Sequence, residues 1–223
     1  MPLSGSGMLI TLMNVLPEEE QDFNEWYDKE HLAERVEIPG FMEARRYEAV
    51  AATPKYLNLY TTKTFDVLDS PVYHGVLQNQ TERSRHHIPK FLDGIRAIAR
   101  VTVSLGQGRG SVLTILHLRP GPVEARQQAL RDRLLPALQD QVKAGLISAH
   151  LVEGDPELSK PLMKDGEVAP AVADWFVILD ASSLVQAQCG LDALIGSDGL
   201  IDPLDIVSTG SYRLLWDLSR NEL

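Results

Sequence analysis

The stretch LITLMNVLP, residues 9–17, decides the fold, because VLTILHLRP at residues 112–120 repeats it. Both are apolar, strand-like runs closed by a proline, which cannot donate to a sheet ladder. The repeat continues outward. GFMEARRYEA (40–49) lies over GLISAHLVEG (145–154) with Gly, two apolar residues, Ala and Glu in register, and YLNLYTTKTFD (56–66) lies more loosely over DWFVILDASSL (174–184). Between the halves, SLGQGRGS (104–111) has the Gly/Ser content of a short linker. An internal repeat read first keeps the fold from being misassigned.

Each half reads β-α-β-β-α-β. In the first, 9–16 is a strand, and a proline and three glutamates open a helix over 17–36, where acids suit the positive helix end. Residues 41–49 and 56–65 alternate as neighbouring strands, 66–80 is a second helix, 82–94 is irregular, and 95–105 closes the unit. The second half follows the same order, with a polar, Pro/Gly-rich surface insertion at 154–170. This is the split βαβ, or ferredoxin-like, order. One such sheet carries its helices on one face and leaves the other bare. Two units in one chain can bury their bare faces against each other, removing apolar area from water at about 25 cal/mol per Å². The expectation is therefore an α+β chain of two tandem ferredoxin-like units, 8–106 and 111–218, forming a pseudo-dimeric barrel.

Composition narrows the function. The chain has 223 residues, 44% hydrophobic, with 31 acids against 21 bases and a formal charge of −10. That balance argues against nucleic acid or an anionic membrane as partner, both of which need a basic surface. No apolar run spans a bilayer, and the first residues lack the pattern of a signal peptide. With Cys189 alone there is no intrachain disulfide and no thiolate zinc cluster, so a cytoplasmic setting is expected, with Cys189 inert in an apolar helix.

The informative helix ends in EWYDKEHLAERVEIPGF, residues 25–41. On a regular helix Phe23, Trp26 and Tyr27 share a stripe with Glu30 and Glu34, His31 lies beside it, and Leu32 and Val36 fall opposite. A helix that kinks or ends near His31 accounts for the jump. The matching helix of the second half carries Leu130, Leu134 and Leu138 at plain core spacing, with neither aromatics nor histidine. One half holds a site-like helix, the other only packing.

Trp26, Tyr27, Asp28, Glu30 and His31, then Arg35, Pro39, Gly40 and Phe41, then Ala44, Arg45, Arg46 and Tyr47, resemble the EthD-like branch of the dimeric α+β barrel superfamily. The match covers roughly residues 8 to 65. The resemblance implies paired ferredoxin-like units enclosing a cavity. Its characterised relatives include cofactor-free enzymes on polyketide-like or aromatic substrates, lactone isomerases, metal-free monooxygenases and haem proteins. Most carry one unit per chain and dimerise; this chain carries two.

The expected chemistry is proton transfer by His31, oriented by Glu30 or Asp28, since a carboxylate beside imidazole fixes its tautomer and raises its basicity. Asp28 and Arg35 are also spaced for a local salt bridge. Trp26, Tyr27, Arg45, Tyr47 and Tyr60 are the expected substrate-binding residues. Phe41, Arg45 and Tyr47 are read as facing the barrel, with Tyr56, Asn58 and Tyr60 facing inward on the next strand and Arg45 holding an enolate or carboxylate. His117 and His150 lie on strands of the second half. His74, His86 and His87 lie in or near irregular segments without known metal spacing, so no metal and no cofactor is expected. The leading expectation is a cofactor-independent isomerase, lyase or monooxygenase on a small oxygenated molecule bound in the barrel. A non-catalytic binding module and a haem protein are the alternatives, and the state is a monomeric pseudo-dimer or a homodimer.

Overall fold

The computed structural model describes residues 3–160, 172–196 and 200–223. The distal part of the expected insertion, residues 161–170, lies outside the described residues. In the first half β1 (Gly7–Asn14) is followed by a helix running from Glu20 to Val36, then β2 (Phe41–Ala51) and β3 (Tyr56–Thr62). Helices α3 (Pro71–Gln78) and α4 (Glu82–His87) lead to β4 (Leu92–Gly106). The second half gives β5 (Val112–Leu118), α5 (Glu124–Lys143), β6 (Ser148–Gly154), β7 (Trp175–Ala181), α6 (Leu184–Ile195) and β8 (Ile206–Ser219).

The eight strands close into one barrel in the order β1-β3-β2-β8-β5-β7-β6-β4. Each half contributes an antiparallel sheet with its first strand in the middle, between β3 and β4 in one and between β7 and β8 in the other. The halves join along two antiparallel seams, β2 with β8 and β4 with β6. The tandem pseudo-dimer is thus sealed by backbone hydrogen bonds as well as by its core, and closure removes the sheet edges. Alternation sorts the side chains. Met8, Ile10 and Leu12 of β1 meet Leu113 and Ile115 of β5 inside the barrel, while Leu9 and Met13 pack outward under the first-half helices. Leu130, Leu134 and Leu138 fill the helix side of the second half.

Two expectations about facing fail. On β3 it is Leu57 and Leu59 that enter the barrel, whereas Tyr56 and Tyr60 face the helices. Under the helix the Tyr56 hydroxyl reaches Glu20 Oε1 at 2.7 Å, and that of Tyr60 reaches Tyr27 at 2.7 Å. On β2 a bulge between Phe41 and Glu43 shifts the register. Phe41 joins Ala44 on the helix side, leaving Arg45 and Tyr47 inward.

Local chemistry also redraws the helices. Ser70 and Pro71 split the helix expected over 66–80 into a 3₁₀ turn (Phe65–Asp69) and α3. Pro71 stands in the first turn, and Ser70 Oγ accepts the Tyr73 amide. The stretch expected to be irregular contains α4, capped by Thr81, whose hydroxyl accepts the Ser84 amide. Cys189, expected in the core, is exposed on α6. Among the described residues no helix is long and apolar enough to cross a membrane.

Candidate functional site

The first-half helix is α1 (Glu20–Trp26), a π-helical turn (Tyr27–His31) and α2 (Leu32–Val36) without a break. The wider turn inserts an extra residue into the helical count, which rotates everything after it by about 100°. The sequence conflict is resolved that way: Phe23, Trp26 and Tyr27 before the turn and Leu32 and Val36 after it all pack into one core. His31 is the last residue of the turn and is buried on that same side.

Beneath it lies a cavity of about 250 Å³. It is bounded by the helix, the outer face of the sheet and the α3–β4 segment, with Tyr27, His31, Arg35, Tyr60, Tyr73 and Phe91 among its walls. The cavity is therefore outside the closed sheet, not within it as expected. The barrel interior is occupied by Met8, Ile10, Tyr47, Leu57, Phe176, Ile178 and their neighbours.

The His31 ring lies 4.4 Å from that of Trp26 and 4.9 Å from that of Tyr27, centroid to centroid. Its Nδ1 is 3.5 Å from Glu34 Oε2, an ion-pair distance without a well-formed hydrogen bond. Nε2 is then the nitrogen available to a ligand. Burial pushes the imidazole down to about 4; Glu34 works against that shift and the Arg35 guanidinium adds to it. The ring is neutral at pH 7. For Glu34, burial opposes the charge, but His31 and the Thr81 and Ser84 hydroxyls outweigh it and hold the carboxyl below its usual range. The Tyr27 and Tyr60 phenols are raised by burial and stay protonated.

The expected site residues divide. His31, Tyr27 and Tyr60 come together at the cavity, and Trp26 backs His31 while His87 stacks at 4.7 Å against Trp26. Glu30 turns away to Thr81 (2.9 Å), and Asp28 pairs with Arg46 at 2.5 Å. The carboxylate beside His31 is Glu34, three residues on and one helical turn away. Asp28 and Arg35 do not form the expected salt bridge. Arg46, sandwiched among the rings of Phe23, Tyr27 and Tyr56, is the arginine of β2 that faces the helix.

Arg45 and Tyr47 lie inside the barrel and do not reach the cavity. Arg45 Nη1 donates to the Tyr47 hydroxyl (3.0 Å) and lies 3.5 Å from Asp180, which also accepts from Ser148 Oγ at 3.1 Å and lies 3.5 Å from His150. Burial opposes the Asp180 charge, but His150 and Arg45 hold its carboxyl below the usual range. His150 and Arg45 are repeat-equivalent positions, so the two halves meet here through one shared carboxylate. His117 stacks on the inward Phe176 at 4.7 Å. The sheet separates both histidines from His31.

Of the other walls, Ile88 and Phe91 come from the stretch expected to be irregular, while Tyr73 and Arg96 lie on an expected helix and strand but were not nominated for the site. Ligand-type atoms of Glu19, His86 and His87 gather within 4.8 Å of one another. Lys90 Nζ already sits on two of them, 2.7 Å from Glu19 and 2.8 Å from His86, so an ammonium supplies that cluster's positive charge.

No protein-family model and no curated protein sequence matches the chain. Solved structures do. An anthrone oxidase-like protein aligns over 99% of this chain and 95% of its own, with a TM-score of 0.66 and 14% identity. A Fusobacterium nucleatum protein described as a candidate monooxygenase aligns over 97% of this chain and 95% of its own (TM-score 0.59, 8% identity). A haem-binding protein from Thermus thermophilus aligns over 96% and 92% (TM-score 0.50, 12% identity). At such identities the likeness is one of fold: this chain has the ferredoxin-like α+β barrel architecture of those proteins.

Proposed function

We propose that the chain is an enzyme of the EthD-like kind, acting without a resident cofactor on a small oxygenated aromatic or polyketide-like molecule held between the first-half helix and the sheet. One observation carries the reading: a neutral, buried imidazole at the wall of a largely apolar cavity, with a half-buried carboxylate behind it. Such a pair is a general base in waiting. His31 Nε2 takes a proton from an acidic C–H or O–H of the ligand, and Glu34 stabilises the imidazolium. The ring is a weak base while the cavity is empty. It strengthens as negative charge develops on the ligand beside it. Tyr27 and Tyr60, joined hydroxyl to hydroxyl, present a neutral phenol pair toward the ligand's oxygen. The resulting enolate or phenolate is the common entry to isomerisation, loss of water or reaction with oxygen. The helix register supports the same reading, since π turns concentrate at functional sites.

A haem does not fit this cavity. The cavity of about 250 Å³ lies below the usual range for drug-sized ligands, which is roughly 300–1,000 Å³. A macrocycle would have to displace Tyr73, Leu77 or Phe91 from its walls.

Anthrone is the test compound, because its methylene carbon is acidic and its oxidation by O₂ to anthraquinone and water is easily followed. Wild-type protein is expected to accelerate both deuterium exchange at that carbon and oxygen uptake, with a loss of about 100-fold in His31→Gln. Exchange no faster than in buffer, or equal in the variant, would sink the proposal.

A further inference from the structure

The chain carries a net charge of −10, yet no aspartate or glutamate among the described residues lines the cavity, whereas Arg35 and Arg96 both do. Arg96 is occupied by neutral acceptors, the Leu158 carbonyl at 2.9 Å and the Tyr73 hydroxyl at 3.4 Å. Arg35 is different. It is 5% exposed, its Nη1 is buried without a hydrogen-bond partner, and no carboxylate among the described residues stands at ion-pair distance from its guanidinium. Arginine keeps its charge throughout ordinary pH, and leaving it buried without a partner is costly. Within the cavity the His31, Tyr27 and Tyr60 side chains that face it are a neutral imidazole and two protonated phenols, while Glu34 and Glu37 border it only from an adjoining pocket, neither within ion-pair distance.

We infer that the ligand of this cavity carries one anionic oxygen group, a carboxylate or an ionised phenol on an otherwise apolar body, and that Arg35 holds it. This rests on reading the cavity as the ligand site, and it adds the ligand's charge. The same contact couples binding to chemistry. An anion on Arg35 offsets the positive field that adds to burial in keeping His31 unprotonated, so the base gains strength when the right ligand is seated. Arg45, the arginine the sequence offers for this task, is on the other side of the sheet.

Calorimetric titration with 2-naphthoate and with its neutral isostere 2-naphthamide tests the charge directly. Wild-type protein is expected to bind the carboxylate at least about tenfold more tightly, a charge-assisted hydrogen bond being worth that much. Arg35→Met should erase the preference and His31→Gln should keep it. Equal binding of the two compounds overturns the inference while leaving the cavity a ligand site. Binding of neither overturns both. A carboxylate preference alongside silent anthrone exchange upholds the inference and sinks the proton-transfer reading. A second readout needs no ligand: if Arg35 is kept for a ligand, empty Arg35→Met protein melts at the wild-type temperature or above it. A clear fall in Tm makes Arg35 structural and overturns the assignment.

Discussion

His31 is buried against the rings of Trp26 and Tyr27, and burial sets its behaviour. A histidine whose folded value is depressed binds its proton more readily when the chain is unfolded. The unfolded state therefore takes up more protons between about pH 6.5 and about pH 4, and stability falls as pH is lowered through that window. His87 and His150, also lowered by burial, act in the same direction. His31→Gln is expected to flatten this limb of a stability–pH curve measured by urea unfolding. A curve identical to wild type would show that His31 titrates as if in water. Glu34→Gln removes the group that raises His31, so His31 should become harder still to protonate, visible as a lower midpoint in an NMR titration. Of the residues nominated from the sequence, His31 and Tyr27 were legible as neighbours because aromatic and ionisable types cluster in one helix, whereas Tyr60 was expected inside the barrel and faces that helix instead. The roles of Glu30 and Asp28 were not legible, since which carboxylate meets His31 depends on a one-residue shift of register, and Arg45 faces the barrel as read while the cavity lies on the other face of the sheet.

Such shifts belong to single elements. The π turn at Tyr27–His31 keeps Leu32 and Val36 on the core side, and a strictly α-helical count would turn them out. Lys29, exposed within the turn, gives a clean comparison. Lys29→Ala should change stability by less than about 0.5 kcal/mol, as an exposed substitution. Deleting Lys29 should be almost as mild, because a plain α-helix one residue shorter returns Leu32 and Val36 to the same side. A deletion costing about 3 kcal/mol or more would mean that the turn is not the extra residue that sets the register. The bulge in β2 works the same way; hydrophobic period showed that the helix is interrupted near His31 but not the form of the interruption, and it gave no sign of the bulge. α5 is the opposite case, a regular helix whose Leu130, Leu134 and Leu138 were legible as core and are buried as such. Leu134→Ala should cost about 2–5 kcal/mol in urea unfolding and leave 2-naphthoate affinity unchanged, since that helix packs on the other half.

At the scale of the molecule, the internal repeat was the most legible feature, because two bare sheets in one chain have one economical partner each. The seams β2–β8 and β4–β6 and the shared Asp180 tie the halves into one structure. Unfolding followed by a probe near Trp26 in the first half and by one near Trp175 in the second should give coincident transitions. Two separated midpoints would mean that the halves melt independently. The placement of the cavity was not legible, since the repeat shows that two sheet faces must meet but not how completely their side chains fill the space. They fill it with apolar groups and the Arg45–Asp180–His150 cluster, and the ligand space moves outward, beneath the helix of one half.

That displacement, from the barrel to the helix layer, is what the proposed chemistry stands on. Imidazole resonances recorded while 2-naphthoate is titrated in would test it most directly. The signals of His31 should move with the ligand, while those of His117 and His150 on the inner face stay where they are. Shifts at His117 and His150 with His31 unmoved would put the ligand inside the barrel and contradict the account.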